Sequence, residues 1–114
     1  MSTEKIFKLP RDQLWRIASQ FDQAARWVDR VEKVEHLSGN AAHVGGVWRV
    51  YERWNASYRV TDLEITEWLE GERFGLRPLL RYAENVIAEL YQIVFDLKTL
   101  ADNQTLVRVQ CEYE

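Results

Sequence analysis

Five segments in the last three quarters of the chain alternate apolar and polar side chains, the first of them in imperfect register, and that alternation narrows the possible folds more than any other feature. They are "VEKVEHLSGN", "VGGVWRVYERW", "YRVTDLEITEWLE", "RFGLR" and "LVRVQCEYE", punctuated by "SGN", "EGE", Pro78 and "ADNQT". A two-residue period puts one set of side chains on each face of a strand, and turn residues between such runs read as reversals. Consecutive runs of this kind predict an antiparallel sheet with one apolar face. On "VGGVWRVYERW" the set Trp48, Val50 and Trp54 is more apolar than Val47, Arg49, Tyr51 and Arg53, so the first set is assigned inward. Glu52 shares that parity and falls inside the fold or at its rim. Gly45 and Gly46 open the run and predict a bulge or bend, which a strongly curved sheet requires.

The alternation does not begin at the N-terminus. "TEKIFKLP" reads as a short first strand ending at Pro10, after which "PRDQLWRIASQF" places Leu14, Ile17, Ala18 and Phe21 at the 3–4 residue spacing of a helix face. Pro10 stands where a helix start tolerates proline, Asp12 complements the positive helix end, and Trp15 widens the apolar stripe. Asp22 then predicts the cap of a second short helix, "QAARWVDR", with Trp27 and Val28 on one side.

The stretch "LLRYAENVIAELYQIVFDLKTL" fits two templates. Leu79, Ala83, Val86, Leu90, Val94 and Leu97 match a helix, whereas alternation and the β-branched and aromatic residues from Tyr91 onward match a strand. We assign two long strands, 87–99 and 105–114, joined at "ADNQT", with Thr105, Val107, Val109, Cys111 and Tyr113 inward.

Chemistry-bearing residues are few. The 114 residues allow one domain, burying roughly two thirds of the extended-chain surface. Fifteen Lys and Arg against 18 Asp and Glu give a net charge of −3, and the scattered cations argue against nucleic acid as a partner. Apolar runs of two or three residues are far too short to span a bilayer, and "MSTEKIFKLP" has no signal-peptide core, so a cytoplasmic location is expected. Cys111 stands alone and reads as a small buried residue on a strand. His36 and His43 are seven residues apart without the spacing of a zinc site or a catalytic triad, so no metal and no cofactor is expected. Arg49 and Arg53 share one strand face as outward charges. Five Trp, five Tyr and four Phe suit either a dense core or the lining of an apolar cavity, and composition does not separate the two.

The order strand, helix, helix, antiparallel strands, together with "LPRDQLWRIASQFDQAARWVDRVEKVEHLSG", "HVGGVWRV", "ITEWLEGERF" and "YQIVFDLKTLADNQTLVRVQCEYE", resembles the START, Bet v 1 and polyketide cyclase superfamily, also called SRPBCC. The resemblance covers essentially the whole chain. It implies an α+β helix-grip fold, in which a curved seven-stranded antiparallel sheet, with two short helices after the first strand, wraps a long C-terminal helix around a cavity for an apolar ligand. This sequence stops at Glu114 without that helix, so residues 1–114 are expected to be a single START/Bet v 1-like domain, C-terminally truncated. An uncovered concave face would also permit a homodimer.

The expected ligand-binding set is Trp48, Val50, Trp54, Ile65, Tyr91, Ile93, Phe95 and Val109, each equally readable as packing against the missing helix. No catalytic residue is assigned. Three functions fit: binding of a hydrophobic small molecule such as a lipid or polyketide; a polyketide cyclase or aromatase, with Glu52, Glu67 or Tyr91 as the available acid or base; and a protein-interaction or regulatory module. The first accords best with much aromatic surface and little acid–base chemistry.

Overall fold

The computed structural model describes residues 2–79 and 90–113, with side chains described for 2–79 and 92–112. Strand β1 (Ser2–Phe7) leads into helix α1 (Arg11–Ser19) and a 3-10 helix (Phe21–Arg26). Strands β2 (Val31–Ser38), β3 (Val47–Trp54), β4 (Ser57–Leu69), β5 (Arg73–Pro78), β6 (Leu90–Ala101) and β7 (Gln104–Tyr113) follow. All pair antiparallel in one seven-stranded sheet of order β1-β7-β6-β5-β4-β3-β2. The strands thus form a meander from β2 to β7, closed by β1 on the far side of β7.

From residue 90 onward the ambiguous stretch is a strand, paired with β5 and β7. A helix there would strand the edges of both neighbours, whereas the Ile93, Phe95 and Leu97 parity meets Leu76, Phe74 and the β7 residues Cys111, Val109 and Val107. The expected strand start at 87–89 lies outside the described residues.

Helix α1 begins after Pro10, whose extended backbone (φ −64°, ψ 151°) lets its carbonyl accept from Leu14 N at 3.2 Å. Gln20 (φ −85°, ψ 80°) stops it. The second helical segment differs from the expectation. It is a 3-10 helix rather than an α-helix, held by Gln23 N to Gln20 O and Trp27 N to Ala24 O at 2.9 and 3.2 Å. Asp22 lies inside its first turn and accepts from the Gln23 side chain instead of capping a backbone N–H. The helical run is six residues long, Phe21–Arg26, and short 3-10 runs suit connections of this kind.

Curvature comes from irregularities that the glycines and strand register explain. In β4 the pairing with β5 slips between Ile65 and Glu67, one extra residue on the longer strand, which bends it. Before β3 the chain doubles back on itself: Gly45 N donates to Ile65 O and Ile65 N to Gly46 O, at 2.9 and 2.8 Å. Gly45 has φ +93°, and a Cβ on Gly46 would run into the Asn40 carbonyl oxygen, so both glycines are required by this crossing.

The packed core sits where α1 crosses the concave side of the sheet. Leu14, Trp15, Phe74 and Leu97 are buried there, with Phe7, Leu9, Phe21, Trp68, Phe95 and Val107 against them. Ring contacts run from Trp15 to Trp68 and Phe74 (5.2 and 5.7 Å), from Phe21 to Phe74 (5.2 Å) and from Phe74 to a stacked Phe95 (4.8 Å). Glu70, in the β4–β5 turn, accepts both indole N–H groups, from Trp15 at 3.0 Å and Trp68 at 2.7 Å, and so ties α1 to that turn. The Thr105 hydroxyl, fully buried, donates to Leu9 O at 2.8 Å and anchors the segment between β1 and α1.

Candidate functional site

The concave face is not filled along its whole length. Beside the aromatic core lies a cavity of about 560 Å³ bounded by β1, α1, β6 and β7, lined by Phe7, Leu14, Ile17, Leu97, Val107 and Val109 among others. A second, of about 220 Å³, lies over β2 to β6 and is lined by Phe21, Val34, Trp48, Val50, Leu63 and Ile93 among others. Ala18, Trp27 and Phe95 border both, so the two form one hollow divided by a partition from α1, the residue after the 3-10 helix, and β6. Strand pleating produces this lining directly, because cross-strand partners share a face and the pairs Trp48–Leu63, Leu76–Ile93 and Phe95–Val109 all project to the concave side.

Of the residues expected from sequence, Trp48, Val50 and Ile93 line the smaller cavity, Val109 the larger and Phe95 both. Trp54 continues the Trp48–Val50–Glu52 face but lies beyond the cavity edge, where the Arg30 guanidinium covers its ring at 3.8 Å. Ile65 is fully buried beneath the Gly45–Gly46 crossing and is absent from both linings. The Tyr91 side chain lies outside the described residues.

The strand-based reading missed the opposite wall. Ala18, Trp27, Val28, Val31 and Val34 close the hollow from α1, the segment around the 3-10 helix and β2. The helix-face spacing of Ala18 and Phe21 and the pairing of Trp27 with Val28 were signals for them. Lys5 and Thr3, on a strand whose alternation is weak, line the larger cavity and had no such signal.

Charged groups fall mainly outside the hollow. Glu52 lines the smaller cavity. Glu67 faces away, accepting from Gln92 at 2.9 Å and lying 3.5 Å from Arg73. Arg49 is on the convex face, where it meets Asp62 through two contacts at 2.8 and 3.2 Å; this carboxylate, with Tyr51, holds the guanidinium charged well above its ordinary range. Arg53 is similarly held by Tyr58 and Glu32. His36 lies against the Trp48 ring at 5.1 Å with Nε2 3.0 Å from Ser38 O, and His43 Nδ1 accepts from Val44 N at 2.9 Å. No group of three or more His, Cys, Asp or Glu able to hold a metal occurs among the described residues, and no described helix is long and apolar enough to cross a membrane. Chemically, the site offers a large apolar volume, a carboxylate at one end and a lysine at the other.

No family model matches the sequence, and no curated protein matches it. Solved structures do match the fold. The chain superposes over its whole length on the di-domain aromatase/cyclase BexL, with a TM-score of 0.82 at 11% identity, spanning 35% of that protein. It does so also on ginseng major latex-like protein 151 from Panax ginseng (TM-score 0.80, 13% identity, 77% of that chain). A START superfamily protein from Mycobacterium smegmatis gives a TM-score of 0.77 at 14% identity over 77% of its chain. The chain therefore shares the curved seven-stranded antiparallel-sheet fold of these proteins, and spans about a third of the first of them.

Proposed function

We propose that this chain binds a hydrophobic small molecule in the hollow between the concave sheet face and α1. The observation carrying the proposal is the pair of adjoining apolar cavities, about 560 and 220 Å³, sharing Ala18, Trp27 and Phe95. Their combined size is that of an ordinary ligand pocket, and the sparse polar lining suits an apolar body oriented by few polar groups. The residues proposed to contact the ligand are Trp48, Val50, Ile93, Phe95 and Val109, joined by Ala18 and Trp27. The likeness of the fold to an aromatase/cyclase and to a START superfamily protein supports this reading.

Titration with Nile red, an uncharged solvatochromic dye, tests it. Saturable binding with a blue-shifted emission is expected, weakened several-fold by Trp27→Ala, since a large part of one wall is removed. Emission that rises without saturating, or that is unchanged in the variant, overturns the assignment.

One observation favours a second reading, a cyclase or aromatase. Glu52 is the single carboxylate among the described cavity-lining residues, where it could move a proton in a chain folded against the aromatic wall. Glu52→Gln would then abolish turnover of a polyketide-like substrate while leaving dye binding intact.

A further inference from the structure

At the Glu52 end of the smaller cavity the concave face stops being apolar. Val31, opposite Glu52, still lines the cavity, and Arg59 is the registered partner of Glu52 on β4. Two residues beyond Glu52 on the same face of β3 stands Trp54, about 7 Å further along the strand at 3.4 Å per residue. Its indole carries the Arg30 guanidinium at 3.8 Å and the Arg59 guanidinium at 5.2 Å from the ring centre.

These two cations differ from those of the convex face. Arg49, Arg53, Arg73 and Arg77 each have a carboxylate within 4.0 Å. Arg30 and Arg59 have none among the described residues, and the indole is their shared contact. The Trp54 Nε1 donor is likewise covered and without an acceptor among the described residues. Two like charges gathered on one ring repel each other, and stacking uses guanidinium faces while leaving the N–H edges free. Those edges are the geometry that receives a carboxylate or phosphate in paired hydrogen bonds.

We propose that Arg30 and Arg59, held against Trp54, bind the anionic head of an amphiphile whose apolar body occupies the adjoining cavity. The inference rests on the ligand-binding reading of that cavity and adds the class of ligand: an apolar chain or ring system ending in a carboxylate or phosphate. Glu52, on the cavity side of the pair and without an ion pair among the described residues, opposes a bare anion and reduces the net charge of the mouth to one positive. Its role is to set the depth at which the head stops, because an anion driven further in meets this carboxylate in an apolar surround.

The test is displacement of Nile red from the full chain by decanoate, decyl phosphate and decanol, each below its aggregation concentration. The two anions are expected to compete at concentrations about tenfold lower than decanol, the size of effect that hydrogen bonds to charged groups confer. In the Arg30→Gln/Arg59→Gln variant that preference falls below about twofold while decanol competes as before, and in Glu52→Gln it grows. A clear advantage of decyl phosphate over decanoate, or the reverse, identifies which head the pair fits. Equal competition by all three in the wild-type chain, or an undiminished preference in the double variant whose melting temperature is unchanged, overturns the head-group site and leaves the cavity reading standing. Failure of all three to displace a saturably bound dye overturns both.

Discussion

The two aromatic-rich regions of the concave face have similar composition and opposite packing. Around Phe74, five rings meet at centroid distances of 4.8–6.1 Å with α1 lying across them, and Trp15 and Phe74 are 6% and 2% exposed. Around Trp27, the same face opens into the hollow, and that tryptophan is 48% exposed. The difference lies in what covers the sheet. Glu70 ties the indoles of Trp15 and Trp68 together, so α1 is drawn down onto β4 and β5. Among the described residues no acceptor ties the Trp27 indole to the sheet in this way. Aromatic content therefore marks both core and cavity here, and the placement of a single carboxylate decides which end fills.

The sharpest way to break this comparison is to remove a ring from the filled end. Phe74→Ala leaves a void among Trp15, Phe21, Trp68 and Phe95 and is expected to cost about 3–5 kcal/mol. Val50→Ala, on a wall that already faces empty space, forfeits fewer contacts and is expected to cost about 1 kcal/mol. Equal losses in urea melts would mean that the hollow is as tightly packed as the core.

The filled end has a second dependency. Thr105→Val keeps shape but removes the donor to Leu9 O, leaving a half-buried carbonyl without that partner at an expected cost of about 1–3 kcal/mol. A change below about 0.5 kcal/mol would place the anchor of the β1–α1 segment elsewhere, in the packing of Leu9 and Leu14.

Much of this architecture was legible before any coordinates. Period-two alternation located β2 to β5 and β7 and assigned Trp48, Val50, Phe95 and Val109 to the concave side, because pleating fixes which residues share a face. Register was not legible. The slip at Ile65–Glu67 puts Trp68 opposite Phe74 and into the core, although strict alternation through "LEITEWL" treats Trp68 otherwise; Ile65, before the slip and paired with Leu76, is kept from the hollow by the Gly46 segment over it. The reach of Trp54 past the cavity edge had the same origin: parity gives a face but not how far along the strand the cover extends. The helical wall was left out of the expected ligand set although Ala18 and the Trp27–Val28 pair were placed on helix faces, because spacing gives a face and not what that face opposes.

Trp27 supplies the converse test, with a smaller effect on folding. Half exposed and in contact with cavity rather than core, Trp27→Ala is expected to shift stability by no more than about 0.5 kcal/mol while weakening dye binding. Stability and binding would thus separate at this position and coincide at Phe74. A loss of several kcal/mol at Trp27 would instead show that the partition between the cavities is structural.

The smallest expected effect lies on the convex face and serves as the control. Glu35 on β2 has its carboxyl pKa held below the ordinary 4.5 by a hydrogen bond from Tyr51, with Lys33 at 3.6 Å and Arg49 adding attraction. A group whose folded pKa is depressed contributes stability that is fully present above the unfolded value and disappears as pH falls through the folded one. Glu35→Gln should therefore melt slightly below the wild-type chain near neutral pH, and the gap should close on acidification below pH 4.5. The carboxylate is exposed, so solvent and added salt screen its partners, and the gap should narrow in high salt at neutral pH. Dye binding should be unaffected, because the side chain is across the sheet from the hollow. A gap that widens on acidification would reverse the sign of the electrostatic contribution, and altered dye binding would mean that the convex ion pairs and the hollow are coupled through the β2–β3 pairing.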